Sequence, residues 1–573
     1  MKFNYLFSLI LISGITTNAQ YQQYTYSDQL TVNQVNAMVH SNGQFFWDMQ
    51  GMALYEVPKT SGRSTIFALM NWIGGYHNDT LHLAANNYNQ KEFIPGIIMD
   101  INQLEDTLSA QLYGKIWHLH HAVVQEFINE FALGNVLNGT YTVPGEILDW
   151  PGDHPTTGEM LAPYSDVNTD GVYNPMLGDY PLIKGCEMLW WVFNDNTVHE
   201  ASGGRPLGVE YRVSFYAHTY SGIDEIADAL NYMTFLDFEI VNRSNNIYTD
   251  TRVAWFTDFD LGYSFDDLVG CDVPLSSFFI YNALDIDGSG QINAYGGPVP
   301  APPSQSLTIL KGPEADNNDG FDNNHNGITD EQNECWALRN FMNFQNVSGP
   351  TSNPIIDFEF YNYMNSVWKD GTPLLHGGNG YGSGANSNVE AKFMYPGSSD
   401  ITGWGTGMQV MDAWFDNQLN AGDRRGMGAC GPFTFEVGEK LEISLALSYA
   451  RSDSAGAYNS VIKNLSQIET LFTWHENDSY PGDCTPVTGN EEIIAERLKL
   501  YPNPAREKLY VDLPFYSEQI SCQIKDILGK DIPSAFELNE GRLLVDLGGI
   551  NIGVYSINIT LGNKHFNEVF IKR

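Results

Sequence analysis

The side chains best placed for chemistry in this sequence are acids and amides spaced two residues apart. Asp166-x-Asn168-x-Asp170-Gly171 repeats the opening of an EF-hand loop. In such a loop alternating oxygen side chains wrap one Ca²⁺, and the glycine permits the sharp turn. The twelfth position in this register is Leu177 rather than a bidentate glutamate, so Asp179 or a distant carboxylate has to close the shell. A second candidate lies between Asp316 and Glu334. There Asp322, Asn324, Asn326 and Asp330 take loop positions one, three, five and nine, Gly327 takes position six, and Glu331 follows. Its regular spacing makes it the better of the two calcium candidates. Asp258, Asp260, Asp266 and Asp267, just beyond an apolar strand, are a weaker set of metal ligands. Asp285-Ile286-Asp287-Gly288 imitates an EF-hand opening, but little acid follows it. The alternative to calcium throughout is an Asx-rich surface turn. Dense acids repel one another unless a cation neutralises them, which favours the ion.

Other chemistries find less support. His118, His120 and His121 fall inside a helical pattern but lack the His-Glu-x-x-His spacing of a zinc site, so they read as structural. Gly-x-Ser-x-Gly and a Walker A loop are absent, which removes the usual entry points to serine hydrolysis and nucleotide hydrolysis. Among so many acids the sequence singles out no glycosidase carboxylate pair. Trp190, Trp191, Trp368, Trp404 and Trp414, with Tyr381 and Tyr395 in Gly-rich loops, have rings that stack on sugars or anchor a core.

These side chains need a scaffold, and its pattern is mostly β. Strands are expected at Glu187–Phe193, Val209–Tyr220, Tyr232–Val241, Arg252–Phe256, Ser277–Tyr281 and Leu441–Tyr449. Glu442 to Leu447 alternates apolar and polar, which predicts one buried face. Helices are expected over Leu104–Leu133 and Ala455–Phe472. Long Gly/Asn/Pro loops between such strands point to an antiparallel β-sandwich-like region decorated by loops.

The chain has 573 residues, 29 of them Lys or Arg and 69 Asp or Glu, for a formal charge of −40. Nucleic acid is therefore excluded as a partner, since binding it needs a basic stripe. With 43% hydrophobic residues the chain carries enough apolar surface to fold rather than stay disordered. Lys2, the apolar run Leu6–Ile12 and Thr17-Asn18-Ala19 before Gln20 have the layout of a secretory signal peptide over residues 1–19. No later stretch reaches the roughly eighteen apolar residues of a membrane helix. Export permits disulfides among the six cysteines, but no Cys-x-x-Cys exists and sequence chooses no pairing.

Charge changes sharply near the end of the chain. From Arg497 onward ten basic residues meet nine acidic ones, whereas residues 1–496 hold 19 basic and 60 acidic. Turn-rich residues 476–496 read as a linker between a large region, 20–475 (with a subdivision near 165), and a tail, 497–573. Short alternating strands in the tail predict a small Ig-like β-sandwich. Leu500-Tyr501-Pro502-Asn503-Pro504-Ala505, Gly553-Val554-Tyr555 and Phe570-Ile571-Lys572-Arg573 follow in that order. Together they resemble the type A sorting domain of the type IX secretion system. The resemblance implies a Gram-negative source, contact with that machinery, passage through the periplasm, and removal of the tail at the surface.

In the large region, Phe46-Trp47-Asp48, Trp72-Ile73-Gly74-Gly75, Asp166 to Pro175 and Asp423-Arg424-Arg425 resemble a family of secreted proteins that carry the same tail. That resemblance implies export and brings no activity with it. The expectation is a secreted or cell-surface protein, calcium-stabilised and non-enzymatic, with a structural or adhesive role. The alternative is a protein that binds surface glycans or acts on polysaccharide.

Overall fold

The computed structural model describes residues 25–484 and 498–573, apart from 89, 292, 347, 478, 514–519, 527–529, 540–541 and 562–563. The expected signal peptide, 1–19, and residues 485–496 of the expected linker lie outside the described residues. The chain divides into two compact units, Met1–Val487 and Thr488–Arg573.

The larger unit is mainly β, with all its sheet pairings antiparallel. One sheet runs Ser27–Leu30, Asn36–His40, Tyr55–Glu56, Ser64–His77, Tyr248–Phe259, Arg424–Phe435, Asn340–Phe344, with Thr80–Ala84 hairpinned onto Ser64–His77. The other runs Asp267–Asp272, Ser277–Asn282, Ser304–Lys311, Lys440–Ala450, Met233–Asn242, Val209–Ala217, Glu187–Asn194, Ile94–Pro95, and Trp117–His120 also pairs with Glu187–Asn194. Large rings fill the space between the sheets. Phe45 of the first layer lies 5.6 Å from Trp191 and 6.2 Å from Phe238 of the second, and Phe46 lies 5.7 Å from Phe215. The second sheet is covered on its outer face too, so Glu187–Asn194 and Val209–Ala217 are buried along their whole length.

Two expectations need correction. Lys440–Ser444 alternates as expected, but Leu445–Ala450 is buried on both faces. The helix Ala457–Glu476 lies across it, with Asn464 donating to the carbonyls of Ser304 and Ser448. The single helix expected over Leu104–Leu133 is instead a helix at Thr107–Tyr113, a strand at Trp117–His120 and a helix at His121–Ala132. Asp106 caps the first helix through the amides of Leu108 and Ser109, and Gly114 ends it. Trp117–His120 then completes its backbone hydrogen bonds against Glu187–Trp190. Sheet pairing thereby overrides a local helical pattern.

A disulfide joins Cys186, which precedes the strand Glu187–Asn194, to Cys484, with Cα atoms 5.0 Å apart and a sequence separation of 298. Cys271, Cys335, Cys430 and Cys522 are free thiols.

The smaller unit holds two four-stranded antiparallel sheets. One runs Lys499–Tyr501, Lys508–Asp512, Arg542–Asp546, Phe536–Asn539; the other runs Asp531–Ile532, Ile520–Asp526, Gly553–Leu561, Lys564–Lys572. Leu509, Val511, Leu543 and Val545 from the first face Ile524, Ile557, Ile559 and Phe570 from the second, which is the sandwich the alternation predicts. Among the described residues no helix of either unit is long and apolar enough to cross a membrane.

Candidate metal centres

Asp166–Asp179 fills the connection between Tyr164–Ser165 and Tyr180–Pro181, which pair antiparallel. Asp166, Asp170 and Asp179 each offer a carboxylate oxygen within 4.8 Å of the others. Backbone amides hold the acids in place. Asp166 accepts from Asp170 (3.2 Å) and Gly171 (2.8 Å), Asp170 from Val172 (2.9 Å), and the fully buried Asp179 from Val167 (2.9 Å) and Asn174 (2.8 Å). Asn168 donates to Asp170 (2.9 Å). Thr169 and Gly171 take positive φ, 59° and 76°, which folds the loop back on itself. The donor set is all oxygen, and each carboxylate oxygen keeps a lone pair for a hard cation.

The loop from Asp316 to Glu334 gathers fewer acids. Asp322 accepts from the amides of Asn326 (3.0 Å) and Gly327 (2.9 Å), and Asn326 accepts from Ile328 (2.8 Å). The side-chain amides of Asn324 and Asn326 both donate to Glu331. Asp330, expected as a ligand, accepts from the amide of Gly320 (2.9 Å) through Oδ1. Among the described residues no group of three carboxylates forms in this loop. Asp322 thus accepts the same two loop amides as Asp166 does, and the denser group of carboxylates is the one at Asp166.

The weaker set separates into two places. Asp258 and Asp260 meet Asp423, a residue that sequence reading had not included, with oxygens within 4.8 Å of one another. Burial, and then the neighbouring carboxylates, push both Asp258 and Asp260 above the usual carboxylate range, while Arg425 opposes the shift. Asp267 is fully buried and accepts from Leu261 (3.3 Å); burial and the neighbouring acids raise it well above the ordinary range. Asp266 accepts from Gly288 (3.1 Å). Asp287, passed over in the sequence, fixes a turn by accepting from Tyr263 and Tyr295.

His118 and His120 stand two apart on a strand, not on a helix, and gather with Glu187. Both His118 ring nitrogens already face carboxylates, Nδ1 at 3.1 Å from Asp28 and Nε2 at 2.7 Å from Glu187. Burial alone would lower the pKa of this imidazole, but its two carboxylate partners raise it to about 10. The imidazole bridges two acids through both ring nitrogens, so a metal held by His118, His120 and Glu187 would have to displace one of those contacts.

Of the candidate sugar-stacking aromatics, Trp190, Trp191, Trp368, Tyr395 and Trp414 are core residues, and Trp404 stacks on His325 at 4.6 Å. Tyr395 and Trp414, with Phe415, line a cleft of about 550 Å³ that also takes in Asn379, Asn386 and Asn417.

No curated protein matches the chain. Among solved structures a polysaccharide lyase aligns at 8% identity and a TM-score of 0.17, over 63% of this chain and 34% of its own. The chain thus spans about a third of that protein's length, and so slight a likeness carries no argument. The tail gives a definite result. Residues 499–573 match the secretion system C-terminal sorting domain, and the smaller unit of this chain is a sorting domain of the type IX secretion system.

Proposed function

We propose that the chain is a cargo of the type IX secretion system whose larger unit is a calcium-stabilised, non-enzymatic module with a structural or adhesive role at the cell surface. The observation that carries this reading is the sorting domain at residues 499–573. Cargo status follows from it, and passage through the periplasm after signal cleavage follows from the N-terminal pattern. Support for a structural role comes from how the long loops use their acids. Asp166, Asp179 and Asp322 accept from amides of their own loops. Calcium at Asp166, Asp170 and Asp179 would complete an exposed loop where three carboxylates crowd together.

Deletion of Arg497–Arg573 in a host with the type IX machinery tests the route. The truncated protein is expected to accumulate folded in the periplasm. Its normal appearance at the surface or in the medium would overturn the cargo reading.

A second reading, glycan binding, rests on the cleft at Tyr395, Trp414 and Phe415. Phe415 leaves 49% of its surface exposed beside three asparagines, a combination suited to an uncharged sugar. A glycan array probed with the secreted protein, with and without calcium, tests it. Binding that Phe415→Ala abolishes would favour this reading over the structural one.

A further inference from the structure

The cluster at Asp258, Asp260 and Asp423 is built differently from the exposed loops. In the first sheet Asp258 sits opposite Arg425 across the pairing of Tyr248–Phe259 with Arg424–Phe435. Asp260 lies two residues beyond Asp258, and Asp423 immediately precedes the partner strand. Three carboxylates therefore converge at one end of a strand pair, with oxygens no more than 4.8 Å apart. Asp258 is held firmly. Its Oδ2 accepts from Tyr88 (2.6 Å) and lies 3.3 Å from Arg425 Nη2, while Arg425 Nε donates to the Tyr88 oxygen (2.9 Å). Arg425 Nη1 lies 3.0 Å from Asp423 Oδ1.

Asp423 Oδ1 has no hydrogen bond beyond that ion pair, and one oxygen of Asp258 has no contact of either kind. Asp258 Oδ1 is buried and has no hydrogen-bond partner, and the side chain as a whole is only 5% exposed. A buried carboxylate oxygen without a partner is costly unless something positive or protonated faces it. The local charge points the same way. When all three carboxylates are ionised, the one guanidinium of Arg425 leaves an excess of two negative charges around the buried Asp258, the charge of one divalent ion. The donors agree as well, since carboxylate oxygens are the ligands that a hard divalent cation such as Ca²⁺ takes.

We propose that Asp258, Asp260 and Asp423 bind a calcium ion through an all-oxygen shell, with Tyr88 and Arg425 acting as positioning residues that turn the free oxygen of Asp258 toward it. The ion fixes the junction between the central strands Tyr248–Phe259 and Arg424–Phe435 and the chain entering the second of them. This extends the calcium reading above to a second, buried place and does not depend on the Asp166 loop. The competing occupant is a proton shared by Asp258 and Asp260.

The test uses the full secreted chain stripped of metal, with calcium chloride at about 1 mM, the range in which extracellular sites fill. Calcium is expected to raise the melting temperature by several degrees, because it binds the folded state alone. A rise should persist in the Asp166→Asn/Asp170→Asn variant, shrink in Asp260→Asn to what the exposed loop supplies, and vanish when the three substitutions are combined. Asp423→Asn is the second probe should Asp260→Asn fail to fold. Terbium luminescence excited through tyrosine gives a direct readout, and its apparent affinity should fall about tenfold or more in either variant. A calcium response in Asp260→Asn and Asp423→Asn equal to that of the parent would overturn the site. A higher melting temperature of these variants in chelator, with no calcium effect on the parent, would assign the place to the shared proton instead. Loss of the response in the Asp166→Asn/Asp170→Asn variant alone would move the calcium to the exposed loop.

Discussion

His118 ties the two sheets together at the start of the described chain. It bridges Asp28, on the edge strand Ser27–Leu30 of the first sheet, and Glu187, on the strand Glu187–Asn194 of the second. Glu187 is 1% exposed and also accepts from the amides of Thr31 and Val32. The His118 imidazole is raised from 6.5 to about 10 by these partners, with His120 packed beside it at 4.7 Å. Because the folded value lies above the unfolded one, its stabilisation is complete below pH 6.5 and is lost as pH rises toward 10. His118→Leu should therefore cost about 3 kcal/mol near neutral pH, since it leaves a buried carboxylate without its cation. Urea melts at several pH values check this. Parent and variant should converge toward pH 10, and a difference that stays constant with pH would refute the linkage. Such bridges are invisible in sequence, because Asp28, His118 and Glu187 lie on three separate strands. Legibility at the residue scale follows the same rule. Asp166, Asp170 and Asp179 could be read because one loop carries all three. Asp423 could not be connected with Asp258, since only the register of two distant strands brings them together.

At the scale of elements, the close approach of the two sheets depends on small residues in Arg424–Phe435. Gly426 and Gly428 form a notch in this strand of the first sheet that receives Phe278 from the second. A Cβ on Gly428 would lie 2.6 Å from the Phe278 ring and 2.8 Å from Leu338, and one on Gly426 would lie 3.0 Å from Phe341. Real side chains do not approach so closely, and neither sheet can shift without moving the rest of the core. Gly428→Ala should destabilise the larger unit by about 1–3 kcal/mol. Phe278→Leu in the same chain should return part of that loss, and denaturant unfolding of the four proteins in a double-mutant cycle measures the coupling. Strictly additive effects would show that the notch does not matter. The strands themselves were legible because their apolar runs and bounding turns are local signals. The helix expected over Leu104–Leu133 failed because its middle segment gains more from pairing with Glu187–Trp190 than from continuing a helix. Glycines that admit a ring from another sheet give no local signal at all.

For the whole molecule the governing fact is the uneven distribution of charge. Residues 1–496 hold 60 acidic and 19 basic residues, whereas the sorting domain from Arg497 onward is nearly neutral, with ten basic and nine acidic. Self-repulsion therefore weakens one compact unit and scarcely touches the other. Raising monovalent salt from about 0.01 M to about 0.1 M shortens the Debye length from roughly 30 Å to roughly 10 Å, so exposed acids stop repelling across the surface. Calorimetry of the full chain should then show the transition of the larger unit moving up by several degrees while that of the sorting domain stays in place. Calcium must do more than screen. A bound ion is selected by a closed shell of oxygens, so calcium chloride should raise the larger unit's transition well beyond sodium chloride of equal ionic strength. Asp260→Asn should remove the buried site's share of that calcium-specific excess and leave the sodium-driven shift intact, because the latter belongs to the summed charge and not to one site. Equal shifts from the two salts in the parent would mean that this acidic surface needs only screening, and that its carboxylate clusters hold no ion.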